Sequence, residues 1–236
     1  MQKISTHEPV TQLKHVRIIE CGEPLVNYLQ LSPKIKVGTG RWVYQRENLL
    51  RKSVAEMLAQ AAESLPNGYT LAVVEGWRPP HIQRRMYLAA WKRWQERHPD
   101  WSELALRRLV NRFTAPPHPK VPPPHTTGGA VDVWLGDENG KTLDHLSPYE
   151  IGSARAYPSN ARGLNPESAQ HRRIVSGAMA ATGITNYPSE YWHWSYGDQG
   201  WAYRGSHPNA IYGPITPPGY VPPVEDDVDE PLLWVD

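Results

Sequence analysis

Two short motifs constrain this chain more than anything else in it, because both must end at one point in space. The first is His125-Thr126-Thr127-Gly128-Gly129-Ala130-Val131-Asp132; the second, about sixty residues later, is Glu190-Tyr191-Trp192-His193. Together they hold two imidazoles and two carboxylates. That set can supply three ligands to a catalytic zinc, which keeps a fourth position open, and one general base. His125 and Asp132 lie seven apart with two glycines between, a spacing that suits a loop bending at Gly128-Gly129 followed by a strand. On such a strand Ala130, Asp132 and Trp134 share one face, and Val131, Val133 and Leu135 share the other. Glu190 and His193 are three apart, so a straight strand would point them to opposite faces. Glu190 is therefore expected at a bend, which Pro188-Ser189 can provide.

The remaining elements follow from periodicity and punctuation. Leu50, Val54, Met57, Leu58, Ala61 and Leu65 recur at helical spacing over residues 47–65, and Pro66-Asn67-Gly68 stops that run. Thr70 to Val74 reads as a buried strand delivering Glu75-Gly76-Trp77-Arg78-Pro79-Pro80 at its end. A helix is expected from His81 to about Arg97, with prolines at its start. Asp100-Trp101-Ser102-Glu103 has capping-box spacing and opens another helix to Phe113. Residues 114–124 are too proline-rich for a regular element. Asn165 caps a helix with Pro166 at its first position; it buries Ile174, Val175, Ala178 and Met179 and ends near Gly183. Short strands are expected at Val16–Ile19, Leu25–Leu31 and Tyr191–Tyr196. The division is a loose arm over 1–17, one domain over 18–213, and a Pro-rich, acidic tail over 214–236 without chemistry of its own, lying on the surface or partly disordered.

Composition narrows the function classes. The net charge is +1, so nothing points to nucleic acid or to an anionic membrane surface. No apolar run approaches the ~20 residues that span a bilayer, and the first residues lack an apolar stretch of the kind that signal peptides carry. Cys21 is the single cysteine, so no internal disulfide can form, which fits a reducing, cytoplasmic compartment. Ten Trp and twelve Tyr against one Phe suit pocket walls better than an oily core, because both carry a polar handle. Arg78, at a strand end, is a candidate for stabilising an oxyanion. His118 is a rival ligand read instead as a loop histidine. Gly128-Gly129 is not a phosphate loop, since neither the lysine nor the helix follows.

The paired motifs, with Trp77-Arg78-Pro79 upstream, resemble the VanX-like D-alanyl-D-alanine dipeptidases, part of the wider group of zinc D,D-peptidases. The resemblance runs from about Ile18 to Trp201. It implies a single-domain α+β fold: a central antiparallel sheet flanked by helices, with the zinc site at the sheet. It implies hydrolysis of the free dipeptide D-Ala-D-Ala and, by extension, a part in cell-wall turnover. It implies one zinc per chain held by His125, Asp132 and His193, Glu190 as the base acting on the zinc-bound water, and Arg78 as the transition-state stabiliser. Tyr28 matches a tyrosine that lines the family's substrate pocket.

The chain also departs from the family. Pro123 stands where the family often has Ser, leaving Thr126 or Thr127 to supply a hydroxyl. The segment Ile151-Gly152-Ser153-Ala154-Arg155-Ala156 puts Ala156 where the family has an Asp that grips the substrate ammonium; Glu150 and Asp144 are other carboxylates that could take that role. Two alternatives therefore stand beside a dipeptidase acting on a small peptide. One is a D,D-carboxypeptidase or amide hydrolase on an N-modified or longer substrate. The other is a non-catalytic, zinc-containing binding module.

Overall fold

The alternating run that begins at Ala130 becomes the middle strand of the main sheet. The computed structural model describes residues 8–118, 120–150, 153–222 and 230–233, so Ile151, Gly152 and the acidic run Glu225-Asp226-Asp227 lie outside the described residues. The strands are β1 (Leu25–Asn27), β2 (Ile35–Val37), β3 (Leu49–Arg51), β4 (Tyr69–Glu75), β5 (Ala130–Asp137), β6 (Thr185–Asn186) and β7 (His193–Ser195). The helices are α1 (Val10–Leu13), α2 (Lys52–Glu63), α3 (Pro80–Arg97), α4 (Glu103–Phe113), α5 (Pro166–Ala180) and α6 (Gln199–Gly205). The fold class is α+β. β1 pairs with β3, and a five-stranded sheet runs in the order β2-β4-β5-β7-β6. Its pairs are antiparallel except the first, where β2 lies parallel to β4. This corrects the expected all-antiparallel sheet. A parallel pair needs a crossover, and the segment through β3 and α2 supplies it.

Alternation along the strands separates core from site. Val131, Val133 and Leu135 of β5, Leu71 and Val73 of β4 and Trp194 of β7 pack in one cluster with Val54, Leu58 and Ala61 of α2 and Val175 and Met179 of α5. Each such buried aliphatic side chain stabilises the fold by about 1.5–3 kcal/mol. Asp132 and Trp134 belong to the opposite face of β5 and border a cavity of about 370 Å³, together with Met86, Ala90 and Trp94 of α3 and Phe113 at the end of α4.

Helix starts follow local chemistry. Pro80 occupies the first position of α3. Ser102 Oγ accepts from Ala105 N–H at 3.4 Å, and Asn165 Oδ1 from Ser168 N–H at 2.7 Å. The helix expected from residue 47 begins instead at Lys52. Asn48 adopts a left-handed backbone (φ 53°), and Leu50 pairs opposite Val26 in the β1–β3 ladder. The strand expected over Tyr191–Tyr196 shortens to β7, because Tyr191 and Trp192 form a turn. The described residues of the arm and tail also pack against the domain. Gln199 Nε2–H donates to the Leu13 and Val16 carbonyls at 3.1 and 2.7 Å, fastening the arm to α6. Trp77 Nε1–H donates to Ile215 O at 2.8 Å, and Leu232 is buried against Ile82 and Met86 of α3.

Candidate metal centre

β5 and β7 run antiparallel with Asp132 opposite His193, so both side chains leave the same face of the sheet. On the other side of β5, a register shift after Val73 sets Glu75 opposite Asp132. One extra residue in β4 re-aims the end of that strand. His125 arrives from a 3-10 turn, Pro124–Thr127, which ends at Gly128 with φ 70°. A side chain at Gly129 would place its Cβ 2.6 Å from the Tyr196 carbonyl oxygen. Left-handed backbone at one glycine and close approach at the next are what the Gly128-Gly129 pair permits. Glu190 lies between two turns just before β7, the bend that its spacing from His193 requires.

Three donor atoms form a triangle. His125 Nε2 is 3.2 Å from His193 Nδ1 and 3.3 Å from Asp132 Oδ1, and His193 Nδ1 is 2.9 Å from Asp132 Oδ1. Ligand atoms bound at about 2.0–2.2 Å around a tetrahedral ion lie about 3.3–3.6 Å apart. The triangle therefore fits a metal after spreading by a few tenths of an ångström. His125 Nδ1 lies 2.9 Å from Gly76 O. Donation of that N–H to the carbonyl leaves the Nε2 lone pair facing the other two ligands, the tautomer that a metal requires. Among the described residues this is the group of His, Cys, Asp and Glu side chains that could hold a metal ion.

Electrostatics divide the two carboxylates of the motifs. Burial by itself would raise Asp132, but the charge and hydrogen bonds of His125 and His193 outweigh it and hold Asp132 far below the usual carboxylate range. Burial likewise opposes a charged His193, yet Asp132 lifts that imidazole above its ordinary value. Glu190 is pushed up to about 7, chiefly by burial, with Asp132 adding to the rise and His193 and Arg78 opposing it. A carboxylate poised there can accept and return a proton near neutral pH. Arg78 is kept protonated despite its burial by Glu75, whose Oε2 accepts from its Nη2 and Nε at 3.0 and 3.3 Å. Arg78 Nη1–H also donates to Gln83 Oε1 at 2.6 Å. His125, Asp132, His193, Glu190 and Arg78 all border the one cavity.

A D-Ala-D-Ala dipeptidase family model of the M15 peptidases matches residues 36–212, three quarters of the chain and every residue of this centre. The chain belongs to that family. It is a metallopeptidase by family, and its substrate class is a small peptide. A D-alanyl-D-alanine dipeptidase of Synechocystis sp. is 28% identical over 250 residues, covering 90% of this chain and 100% of that relative. One of Escherichia coli K12 is 25% identical over 157 residues, covering 66% and 70%.

Not every expected residue reaches this peptidase's cavity. Tyr28 is buried in the core, and its hydroxyl donates to Asn48 Oδ1 at 3.0 Å. Its ring packs beneath Gly76, where an added Cβ would come within 3.1 Å of it. Tyr28 thus stands behind the carbonyl that orients His125. Ala156 is fully buried, and its carbonyl accepts from Arg172 Nη2 at 2.8 Å. Thr126 and Thr127 are buried with hydroxyls that donate to the Pro123 and Pro124 carbonyls at 2.7 and 2.6 Å, closing the turn that carries His125. Aromatic walls are where the composition suggested: Trp94, Trp134, Trp192, Tyr157, Tyr187 and Tyr191 border the cavity.

Sequence reasoning passed over several cavity residues, Glu75 and Glu8 among them. Glu75 also accepts a short hydrogen bond from Tyr44 Oη and lies 3.7 Å from Arg46 Nε. Its position three before Arg78, at the end of an apolar strand, was the available signal. Glu8, from the arm, borders the cavity as well; nothing in its local sequence marks it.

Proposed function

We propose that this chain is a zinc-dependent dipeptidase that hydrolyses D-Ala-D-Ala or a closely related small peptide, with one zinc per chain. The observation that carries the reading is the triangle of His125 Nε2, Asp132 Oδ1 and His193 Nδ1, with Glu190 and Arg78 on the same cavity. Two imidazoles and one carboxylate, with a fourth position open, are a donor set of catalytic zinc. Zinc held there would polarise the scissile carbonyl and lower the pKa of a water to about 7. The proposed site lies at the sheet, because Asp132 and His193 are neighbours on β5 and β7.

The chain's own groups do the rest. Glu190 takes a proton from the attacking water as the new C–O bond forms. It then gives that proton to the amide nitrogen as the C–N bond breaks, releasing two free amino acids. The Arg78 guanidinium, held by Glu75 and Gln83, faces the negative charge that develops on the carbonyl oxygen. Gly76, backed by Tyr28, keeps His125 in its ligating tautomer. The Trp and Tyr walls exclude bulk water, which strengthens each of these interactions. We take 18–213 as the peptidase unit, with the arm and tail as additions to it. The lone Cys21 supports a reducing compartment such as the cytoplasm, and the proposed product supports a part in cell-wall turnover.

The size of the cavity favours one second reading. At interior packing density a dipeptide of two alanines fills about 200 Å³, which leaves a good part of the 370 Å³ present unfilled. A longer or N-modified peptide is therefore the alternative substrate. Hydrolysis of D-Ala-D-Ala by zinc-loaded wild type, beside Glu190→Gln, tests the main reading. Turnover by the wild type and a loss of about 10²–10⁴-fold in the variant is expected. A wild type that holds zinc but cleaves only N-acetylated or longer peptides would overturn it in favour of the second.

A further inference from the structure

We propose that Glu8, brought in by the N-terminal arm, is the specificity-determining carboxylate that closes one end of the cavity and takes the ammonium of a substrate with a free amino terminus. The inference rests on the peptidase reading above, and Glu8 lies well outside the residues that the family model matches. A free dipeptide carries an ammonium with three N–H donors and no acceptor. In a mostly apolar cavity such a group needs a carboxylate.

Among the described residues five carboxylates border the cavity: Glu8, Glu75, Asp132, Glu190 and Asp198. Asp132 belongs to the metal triangle and Glu190 to the proton transfer. Glu75 is taken by Arg78, Tyr44 and Arg46. Asp198 is buried and accepts from Trp201 N–H and Ser195 Oγ–H through Oδ1, at 2.6 and 3.0 Å. Glu8 remains. Arg204 holds it from behind through a short ion pair, with the Glu8 side chain 13% exposed. Gly200 makes the space: a Cβ there would lie 2.4 Å from Glu8 Oε2.

The surroundings are short of donors. Asp198 Oδ2 and Gln199 Oε1, in side chains 2% and 5% exposed, have no hydrogen-bond partner among the described residues. Among the described residues Arg204 pairs directly with Glu8 and meets Asp198 only through Ser195 Oγ. Burial, with Asp198 adding to it, raises Glu8 above its ordinary value in spite of Arg204. A cation against Glu8 supplies the missing charge. The carboxylates of the 144–150 segment do not offer this. Asp144 accepts from its own turn, Leu146 N–H and Ser147 N–H at 2.8 and 3.1 Å, and Glu150 is exposed.

The test compares D-Ala-D-Ala with N-acetyl-D-Ala-D-Ala, in zinc-loaded wild type, Glu8→Gln and Gly200→Ala. Gly200→Ala keeps the charge but displaces it, so it serves if Glu8→Gln folds poorly; zinc content and Tm report folding. Losing a charged hydrogen bond should raise KM for the free dipeptide roughly 10–100-fold, with kcat changed less than about threefold and the acetylated peptide unaffected. Calorimetric binding of both peptides to the Glu190→Gln protein, with and without Glu8→Gln, reads the same preference without turnover. Loss of the free-amine preference with Glu8→Gln is the expected result. A preference that survives Glu8→Gln, or none while Glu8 is present, overturns the proposal even if wild type hydrolyses D-Ala-D-Ala. If wild type hydrolyses neither peptide, the dipeptidase reading falls separately, and binding still decides the role of Glu8.

Discussion

Replacing Gly129 by Ala should loosen the candidate metal centre from a distance, because Gly129 sets the spacing of the strands that carry two of its candidate ligands. Tyr196 N–H donates to Gly129 O at 2.9 Å, and three residues further on Asp132 faces His193. The added Cβ would lie 2.6 Å from the Tyr196 carbonyl oxygen and 3.0 Å from Tyr212 Cδ2. A backbone oxygen cannot rotate away as a side chain can, so β5 and β7 must separate by several tenths of an ångström. Overpacking of this kind costs about 1–3 kcal/mol. At about 2–4 °C per kcal/mol for a chain of this size, Tm should fall by about 2–12 °C. The same shift stretches the 2.9 Å spacing of Asp132 and His193, and disturbed support of metal ligands typically lowers affinity by about 10–100-fold. Scanning calorimetry and zinc competition against a chelator measure both effects. Gly177→Ala is the control, since Gly177 is exposed in α5 and its added Cβ meets nothing within 4 Å. It should gain up to about 1 kcal/mol and bind zinc as wild type does. A Gly129→Ala protein with wild-type Tm and zinc affinity would refute the argument.

Three further outcomes are expected. Glu190 acts as a base only when deprotonated. It is pushed up to about 7 before any metal charge acts, and a cation beside it lowers that value. The rate should therefore fall tenfold per pH unit below a point between the ordinary carboxylate value and 7, with zinc content checked at each pH; a profile that stays flat down to about pH 3.5 while zinc is retained would remove Glu190 as the base. Glu75→Gln takes the charge from the 3.0 Å pair with Arg78. It should lower kcat by roughly 10²-fold through misplacement of the guanidinium, and unchanged steady-state kinetics would contradict the role given to Arg78. Tyr28→Phe loses the hydrogen bond to Asn48 and should destabilise by about 1 kcal/mol with KM changed less than about twofold. A large rise in KM would instead put Tyr28 in contact with substrate.

The sequence carried the centre because its chemistry is local in type and spacing. His125, Asp132, Glu190 and His193 are readable since few residue types bind metals, and since paired glycines and a proline turn limit how those side chains can point. Strand alternation alone separates Val131, Val133 and Leu135 on one face from Asp132 and Trp134 on the other, and the structure buries the first set in the core. Helix starts at Pro80 and Asn165 were equally legible, because capping is satisfied within four residues; α4 begins two residues later than the Asp100–Glu103 box implies, with Ser102 as its cap. Tyr28 was less so: a tyrosine that lines a pocket and one that backs its floor look the same in a string of letters.

Tertiary structure decided whatever depends on register or on distant segments. The shift between Val73 and Glu75 sets Glu75 opposite Asp132, and no local pattern marks where a ladder slips. Residues 49–51 carry a helical pattern yet pair as a strand, because a β1 partner satisfies them first. Glu8 and Arg204 meet across nearly the whole chain, so only folding reveals a carboxylate at that end of the cavity. The sequence determined the family and marked the candidate ligands and the candidate base, since these follow from residue type and short spacing. The fold alone determined what surrounds them, because packing joins residues whose separation in sequence says nothing of their separation in space.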